Sequence, residues 1–242
     1  MKYVFFLLLS LTCLNVSAAE LNKLKFLTES YPPYNYRESG KIVGLSVDVL
    51  NAASKAVGDP VKKIELQPWV RGYKSAISGP MVVLFSTTRN KERESKFKWA
   101  GPISSTEIVV LAKKSKNIKI SNPKDFDKYA IGVVREDIGQ QLLTSLGVIP
   151  KSIKAVSRPD MIIKQLEHDR VDMIAYENNV AKTMMTNAGM TPSDYETVYV
   201  LSKSFLYFAF SLDTPNEYVS KLQKGIDLIE SNGKLESIKS KY

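Results

Sequence analysis

Short apolar runs rich in β-branched residues alternate with amphipathic helical stretches along this chain, and the alternation runs twice. Lys23–Leu27 reads as a strand, and Thr28–Tyr36 as a loop rich in proline and tyrosine. Gly44 precedes a helix with Leu45, Val49, Ala52, Ala53 and Ala56 on one face, ended by Gly58. Lys63–Leu66 is expected as a strand, Trp69–Ile77 as a helix stopped by Gly79-Pro80, and Met81–Phe85 and Glu107–Ala112 as further strands. This order favours parallel strands layered under helices, an α/β architecture. A polar stretch, Lys113–Pro123, breaks the pattern, which then restarts. Strands are expected at Tyr129–Val134, Ile153–Val156 and Val171–Tyr176, with helices capped by Asp137 and Ser157 and a third over Asn179–Asn187. Thr197–Leu201 leads back out, Phe205–Ser211 is a strong strand, and two helices end the chain. The expectation is two α/β lobes with a cleft between them. There is no internal repeat, low-complexity run or heptad array.

The N-terminus bounds where such a protein works. Lys2 is followed by an apolar run, Tyr3–Leu14, too short to span a bilayer comfortably, and then by the small residues Val16-Ser17-Ala18-Ala19. This pattern predicts a secretory signal peptide, residues 1–19, cleaved after Ala18 or Ala19, and a periplasmic product. Cys13 is the only cysteine and follows Thr12, so lipidation is not expected and the mature chain has no disulfides. The net charge of +9 comes from lysines scattered along the chain. In an exported protein that reads as a solvated basic surface, and no nucleic-acid partner is expected. The 44% hydrophobic content of these 242 residues suffices for a packed core.

The chemistry concentrates in Leu84–Pro102, LFSTTRNKERESKFKWAGP. An apolar strand ends in Ser86, Thr87 and Thr88, and Arg89 and Arg93 follow at once. Hydroxyls and a planar donor fork at the carboxyl end of a strand suit a small carboxylate. Tyr31, Tyr34, Trp69 and Trp99 can supply flat walls, with Trp69 the better wall candidate because it follows a strand and Pro68; Trp99 is weighed more toward core packing. Arg71 lies close behind Trp69. The one histidine, His168, sits in a polar run, and no metal cluster, Ser-His pair or phosphate loop stands out.

The segments TESYPPYNY (Thr28–Tyr36), GKIVGLSVDVL (Gly40–Leu50), PWVRGY (Pro68–Tyr73), STTRNKERESKFKWAGP (Ser86–Pro102), IGVVREDIG (Ile131–Gly139), DRVDMIAYE (Asp169–Glu177) and FLYFAFS (Phe205–Ser211) follow one another in a telling order. In order and spacing the chain resembles the bacterial extracellular solute-binding proteins of family 3. The resemblance covers the whole mature chain. It implies a type II periplasmic binding protein fold that closes on its ligand like a hinged trap. Lobe 1 would comprise residues 20–110 and 202–242, and lobe 2 residues 111–201, with crossovers near Val109–Lys113 and Val200–Lys203. By the family's spacing Arg93 matches the arginine that grips the ligand's α-carboxylate, and Arg89 is the rival. Thr88 and Ser86 match the hydroxyl positions, and Glu177 matches the acid that receives the ammonium. The first-lobe acid falls at Thr28, and Glu29, one residue along, risks being turned away from the cleft by strand alternation. Arg135 and Asp137 replace the usual small hydroxyls after the second-lobe strand. Arg135 would add a second cation, and Asp137 is read equally as an N-cap and a ligand contact.

The resemblance implies a monomer that captures a small polar solute, an amino acid or related carboxylate, with no cofactor, metal or chemistry. Its partner would be an inner-membrane ABC permease or a sensor domain. Two alternatives stand beside it. One is an enzyme on the same fold, resembling cyclohexadienyl dehydratase, with Glu177 as general acid. The other is a signalling protein without transport.

Overall fold

The computed structural model describes residues 19–242. The expected signal peptide, save for Ala19, lies outside the described residues, as does Cys13. Strand β1 (Lys25–Thr28) is followed by a small hairpin, β2 (Tyr36–Glu38) and β3 (Lys41–Val43). Helix α1 (Leu45–Ala56), β4 (Ile64–Leu66), α2 (Trp69–Ser78) and β5 (Val82–Thr88) complete the first run. A 17-residue strand, β6 (Phe97–Lys113), leads to β7 (Ile131–Val134), α3 (Ile138–Ser145), β8 (Ile153–Val156), α4 (Pro159–Glu167), β9 (Met173–Glu177) and α5 (Asn178–Asn187). A second 17-residue strand, β10 (Tyr195–Ser211), returns to α6 (Asn216–Ser231) and α7 (Lys234–Lys239).

Eight strands form one sheet in the order β4-β1-β5-β10-β6-β9-β7-β8. Its two ends are parallel, as the alternating pattern demands: β1 pairs with β4 and β5, and β7 with β8 and β9. The long strands β6 and β10 join them as an antiparallel ladder. In the first half β10 is the inner strand, paired with β5 from Leu206 onward. In the second half β6 takes over, paired with β9 from Ile108 to Ala112. Between these zones, over Ser104–Glu107 and Lys203–Ser204, the two strands pair with each other alone, and from Phe205, whose carbonyl accepts from Arg89 N–H at 3.2 Å, β10 is again held on both sides. Register shifts near Val200–Ser202 and Leu206–Phe208 flank this neck, where bulges let paired strands bend.

Both long strands exceed the sequence expectation. Glu107–Ala112 and Phe205–Ser211 are only parts of them, and Trp99, Gly101 and Pro102 lie inside β6. Local signals such as Ser104-Ser105 read as breaks. Pairing along the whole length overrides them, because strand formation depends on the partner more than on intrinsic preference. Arg158, not Ser157, stands at the N-cap of α4.

Two glycines fix how the helices seat. Helix α1 buries Leu45, Val49, Leu50 and Ala53 on one face, as its 3.6-residue spacing requires. Its first amides have no side-chain cap. Leu45 N–H donates to Pro33 O at 3.1 Å, and Ser46 N–H to Tyr34 O at 2.8 Å. Gly44 makes this approach feasible, with φ of 122° and a hypothetical Cβ 2.5 Å from Tyr34 O. The loop carrying Tyr31 and Tyr34 is thus welded to the helix. Likewise α6 lies against α1 with Gly225 facing Ala53 O, where a Cβ would come within 2.3 Å. The C-terminal segment therefore packs on the first half. Among the described residues, no helix is long and apolar enough to cross a membrane.

Gly44→Ala is expected to cost about 2–3 kcal/mol through backbone strain and steric clash. Urea unfolding measures this, and an unchanged midpoint would refute the weld.

Candidate functional site

The site is built around Arg93, a large side chain with only 1% of its surface exposed. Strand β5 is buried from end to end, and the chain turns after Thr88 so that Arg93 folds back beneath the strand end. Its Nε donates to Gln141 Oε1 on α3 at 3.1 Å, and Nη1 to Thr88 O at 3.3 Å. Nη2 has no hydrogen-bond partner among the described residues. The guanidinium carbon lies 5.0 Å from the Trp69 ring centroid and 5.3 Å from that of Tyr73. Those residues are four apart on α2, so the helix presents them on one face, stacked with centroids 5.3 Å apart. Burial holds Arg93 below the usual arginine range, and the Asp137 charge opposes that shift most strongly.

Arg89 is committed elsewhere. Its Nε and Nη2 donate to the two Glu94 oxygens at 2.8 and 2.6 Å, and it lies over the rings of Trp99 and Tyr207. The fork that would take a solute carboxylate is filled by Glu94.

Two carboxylates face Arg93, one from each half of the sheet. Glu29 follows β1 and is buried, and its Oε2 has no partner among the described residues. Burial pushes its carboxyl well above the usual range, the Asp137 charge adds to this, and Arg93 works against it. Asp137, in the turn from β7 to α3, is also buried with Oδ2 unpartnered. Burial raises its pKa, against the pull of Arg93 and of the Ile138 amide. Tyr31 and Tyr176 pack edge to face at 5.5 Å beside this pair, and the Tyr176 hydroxyl has no partner among the described residues. Burial, then neighbouring acids, pushes both phenols well above their ordinary value.

Several expectations need correction. Glu29 is not turned away. It lies beyond the last strand residue, where alternation no longer applies, and Asn35 Nδ2 pins its carbonyl at 2.7 Å. Thr28 points inward instead, donating to Phe85 O at 3.4 Å. Asp137 stands at the N-cap of α3 but makes no side-chain cap bond. Arg135 and Arg71 are both exposed, so neither adds a cation to the buried group. Trp99 is half-buried under Arg89, away from Arg93.

Glu177 is also spoken for. Its Oε2 accepts from Val180 N at 2.7 Å, capping α5. Its Oε1 accepts from Tyr34 OH at 3.2 Å and Thr106 Oγ1 at 3.5 Å. Ser86 lies at a φ of 58°, donating to Asn35 Oδ1 with Ser46 Oγ at 2.8 Å, and Thr88 presents its carbonyl to Arg93. Tyr73, Tyr176 and Gln141 join the site without having been singled out in the sequence. Spacing of four from Trp69 and adjacency to Glu177 were the available signals for the first two.

Side-chain hydrogen bonds tie the halves together across the site. Trp69 Nε1 donates to Glu136 O at 2.9 Å, Tyr34 reaches Glu177, and Arg93 reaches Gln141. A cavity of about 330 Å³ adjoins Glu29 at the cleft mouth, lined by Gln67, Pro68, Ser157, Arg158 and Asp160 among others. Among the described residues, no group of three His, Cys, Asp or Glu could hold a metal ion.

The family described as bacterial extracellular solute-binding proteins, family 3, matches residues 24–242. The chain belongs to this family. It is 23% identical over 239 residues to the arginine-binding extracellular protein ArtP of Bacillus subtilis (strain 168), covering 93% of this chain and 89% of that protein. Among solved structures, a histidine kinase sensor domain with similarity to periplasmic binding proteins superposes with a TM-score of 0.81 at 16% identity, covering 92% of this chain and 96% of the other. The arginine-, lysine-, histidine-binding protein ArtJ from Geobacillus stearothermophilus gives 0.73 at 23% identity, covering 90% and 94%. At these identities the likeness shows the fold, that of type II periplasmic binding proteins.

Glu177→Ala is expected to lower stability by about 1–2 kcal/mol through loss of the α5 cap, read from thermal unfolding. Full stability with lost solute binding would instead return Glu177 to the ligand's first contacts.

Proposed function

We propose that this family member captures an α-amino acid by closing its two halves about the β6–β10 neck. One observation carries the reading: Arg93 Nη2, Glu29 Oε2 and Asp137 Oδ2 sit in one buried group, drawn from both halves, each without a partner among the described residues. A buried polar group left unpaired costs about 1–3 kcal/mol. An α-amino acid offers what all three lack, a carboxylate for Arg93 and an ammonium for the acids. Trp69 and Tyr73 hold the guanidinium plane while the solute carboxylate approaches. A charge-assisted pair removed from water by closure is worth far more than one at the surface.

The lobes we propose are residues 20–103 with 205–242, and residues 108–202, joined at Ser104–Glu107 and Lys203–Ser204. The relatives support an amino acid as the solute class, since ArtP is an arginine-binding protein and ArtJ an arginine-, lysine-, histidine-binding one. The family and ArtP support an extracellular or periplasmic setting; likeness to an ABC uptake transporter substrate binding protein supports an ABC permease as partner, and the sensor-domain likeness supports a signalling partner on the same footing. The enzyme reading would need a proton on Glu177, whose oxygens both accept hydrogen bonds while burial raises its pKa.

A thermal-shift screen of the protein against amino acids and amine-free organic acids tests the proposal. A solute at a hundredfold excess over its Kd should stabilise the protein by about 2.7 kcal/mol, and Arg93→Ala should abolish the shift while the variant stays folded. Stabilisation by amine-free acids alone, or wild-type affinity in Arg93→Ala, would refute it.

A further inference from the structure

A groove leads away from Glu29 along the boundary between the two halves. Its inner part is the cavity of about 330 Å³ at the cleft mouth, and a second cavity of about 370 Å³ continues it. The two adjoin, because Ser30, Asp160 and Met184 line both. Each is within the size range of a small-molecule site, about 300–1,000 Å³. Pro32, Tyr36 and Pro68 form the wall on the first half, and Pro159, Ile163 and Met184, on α4 and α5, form the wall on the second.

The groove changes character along its length. The inner cavity is lined by Glu29 and Gln67, and Glu29 Oε2 and Gln67 Nε2 are both buried without a partner among the described residues. The middle is apolar. The outer cavity adds two exposed cations from opposite halves, Arg37 on β2 and Lys164 on α4. The nearby acids are engaged elsewhere. Arg158 Nε and Nη2 donate to the two Asp160 oxygens at 2.9 Å, and Glu38 stands opposite Lys41 in the hairpin. Arg37 Nη1 donates to the Gly40 carbonyl at 2.8 Å, which leaves its charge unanswered. Neither Arg37 nor Lys164 forms an ion pair among the described residues.

A solute that fits this sequence of chemistry has an α-amino acid head, then an amide, then an apolar stretch, then an anionic end. We propose that the site takes a γ-glutamyl dipeptide with an apolar second residue. Its α-carboxylate and ammonium meet Arg93, Glu29 and Asp137, and its side-chain amide carbonyl accepts from Gln67 Nε2. Its apolar residue lies between Pro32, Ile163 and Met184, and its terminal carboxylate sits at Arg37 and Lys164. This rests on the amino-acid reading above and extends it from a free amino acid to a conjugated one. The linkage is decisive, because an α-linked dipeptide has no carboxylate beside its ammonium and cannot present the head. The rim cations stand in water, where ion pairs are weak and screened by salt, so most of the gain comes from the apolar stretch.

Isothermal titration of the protein with L-glutamine, γ-L-glutamyl-L-leucine and α-L-glutamyl-L-leucine tests this. The γ-linked dipeptide should bind at least about tenfold more tightly than glutamine, the worth of one buried leucine side chain. The α-linked isomer should bind more weakly than either. The double variant Arg37→Ala with Lys164→Ala, checked for folding by circular dichroism, should lose about fivefold in affinity for γ-glutamyl-leucine. Glutamine bound as tightly as γ-glutamyl-leucine, equal binding of the two isomers, or an unchanged affinity in the double variant would each overturn the inference while leaving amino-acid capture intact. Binding of none of the three, nor of any free amino acid, would overturn both.

Discussion

A guanidinium taken out of water beside two stacked aromatic rings demands anions around it, and much of this structure is arranged to meet that demand. Trp69 and Tyr73 flank it together, and α2 presents them on one face because they are one helical turn apart. The chain leaving strand β5 carries Arg93 against this pair of rings. Glu29 and Asp137 come from opposite halves, so the electrostatic balance of Arg93 is complete only when the halves meet. Trp69 belongs to both tasks, since its ring stacks on Arg93 while its N–H donates to the Glu136 carbonyl across the cleft. Closure and ligand chemistry thus share atoms.

The sheet gives that arrangement its freedom to move. Each half is a parallel α/β layer with helices over it, rigid because strands and helices pack on both sides. The neck is only two strands wide, paired solely with each other over a few residues. Bending there disturbs few backbone hydrogen bonds. Gly44 and Gly225 act at the other extreme, letting backbone meet backbone so that the Tyr31–Tyr34 loop and the C-terminal helices move with the first half as one piece.

Most of the fold was legible in the sequence because it is local. Apolar period and glycine punctuation located α1, α2, β8 and α5 to within a residue or two. The long strands were not legible, since β6 and β10 extend through serine-rich stretches held by each other. Family spacing and strand ends pointed to Arg93 and Trp69, which the fold brings together. At the acids the sequence said less about which carboxyl oxygens are already paired. Glu177 has the sequence position of a ligand group, yet the helix starting one residue later claims its carboxylate. Glu29 looked displaced by one residue, but strand alternation ends at Thr28. Whether a charged side chain is free or already paired is a three-dimensional property, and Arg89 with Glu94 makes the same point.

The most direct test is a crystal structure of the protein with the amino acid that stabilises it most. The account requires the solute carboxylate on Arg93 Nη2, its ammonium between Glu29 and Asp137, and the Trp69–Glu136 contact retained. A solute bound with its ammonium on Glu177, or held by Arg89 with Arg93 unengaged, would contradict it.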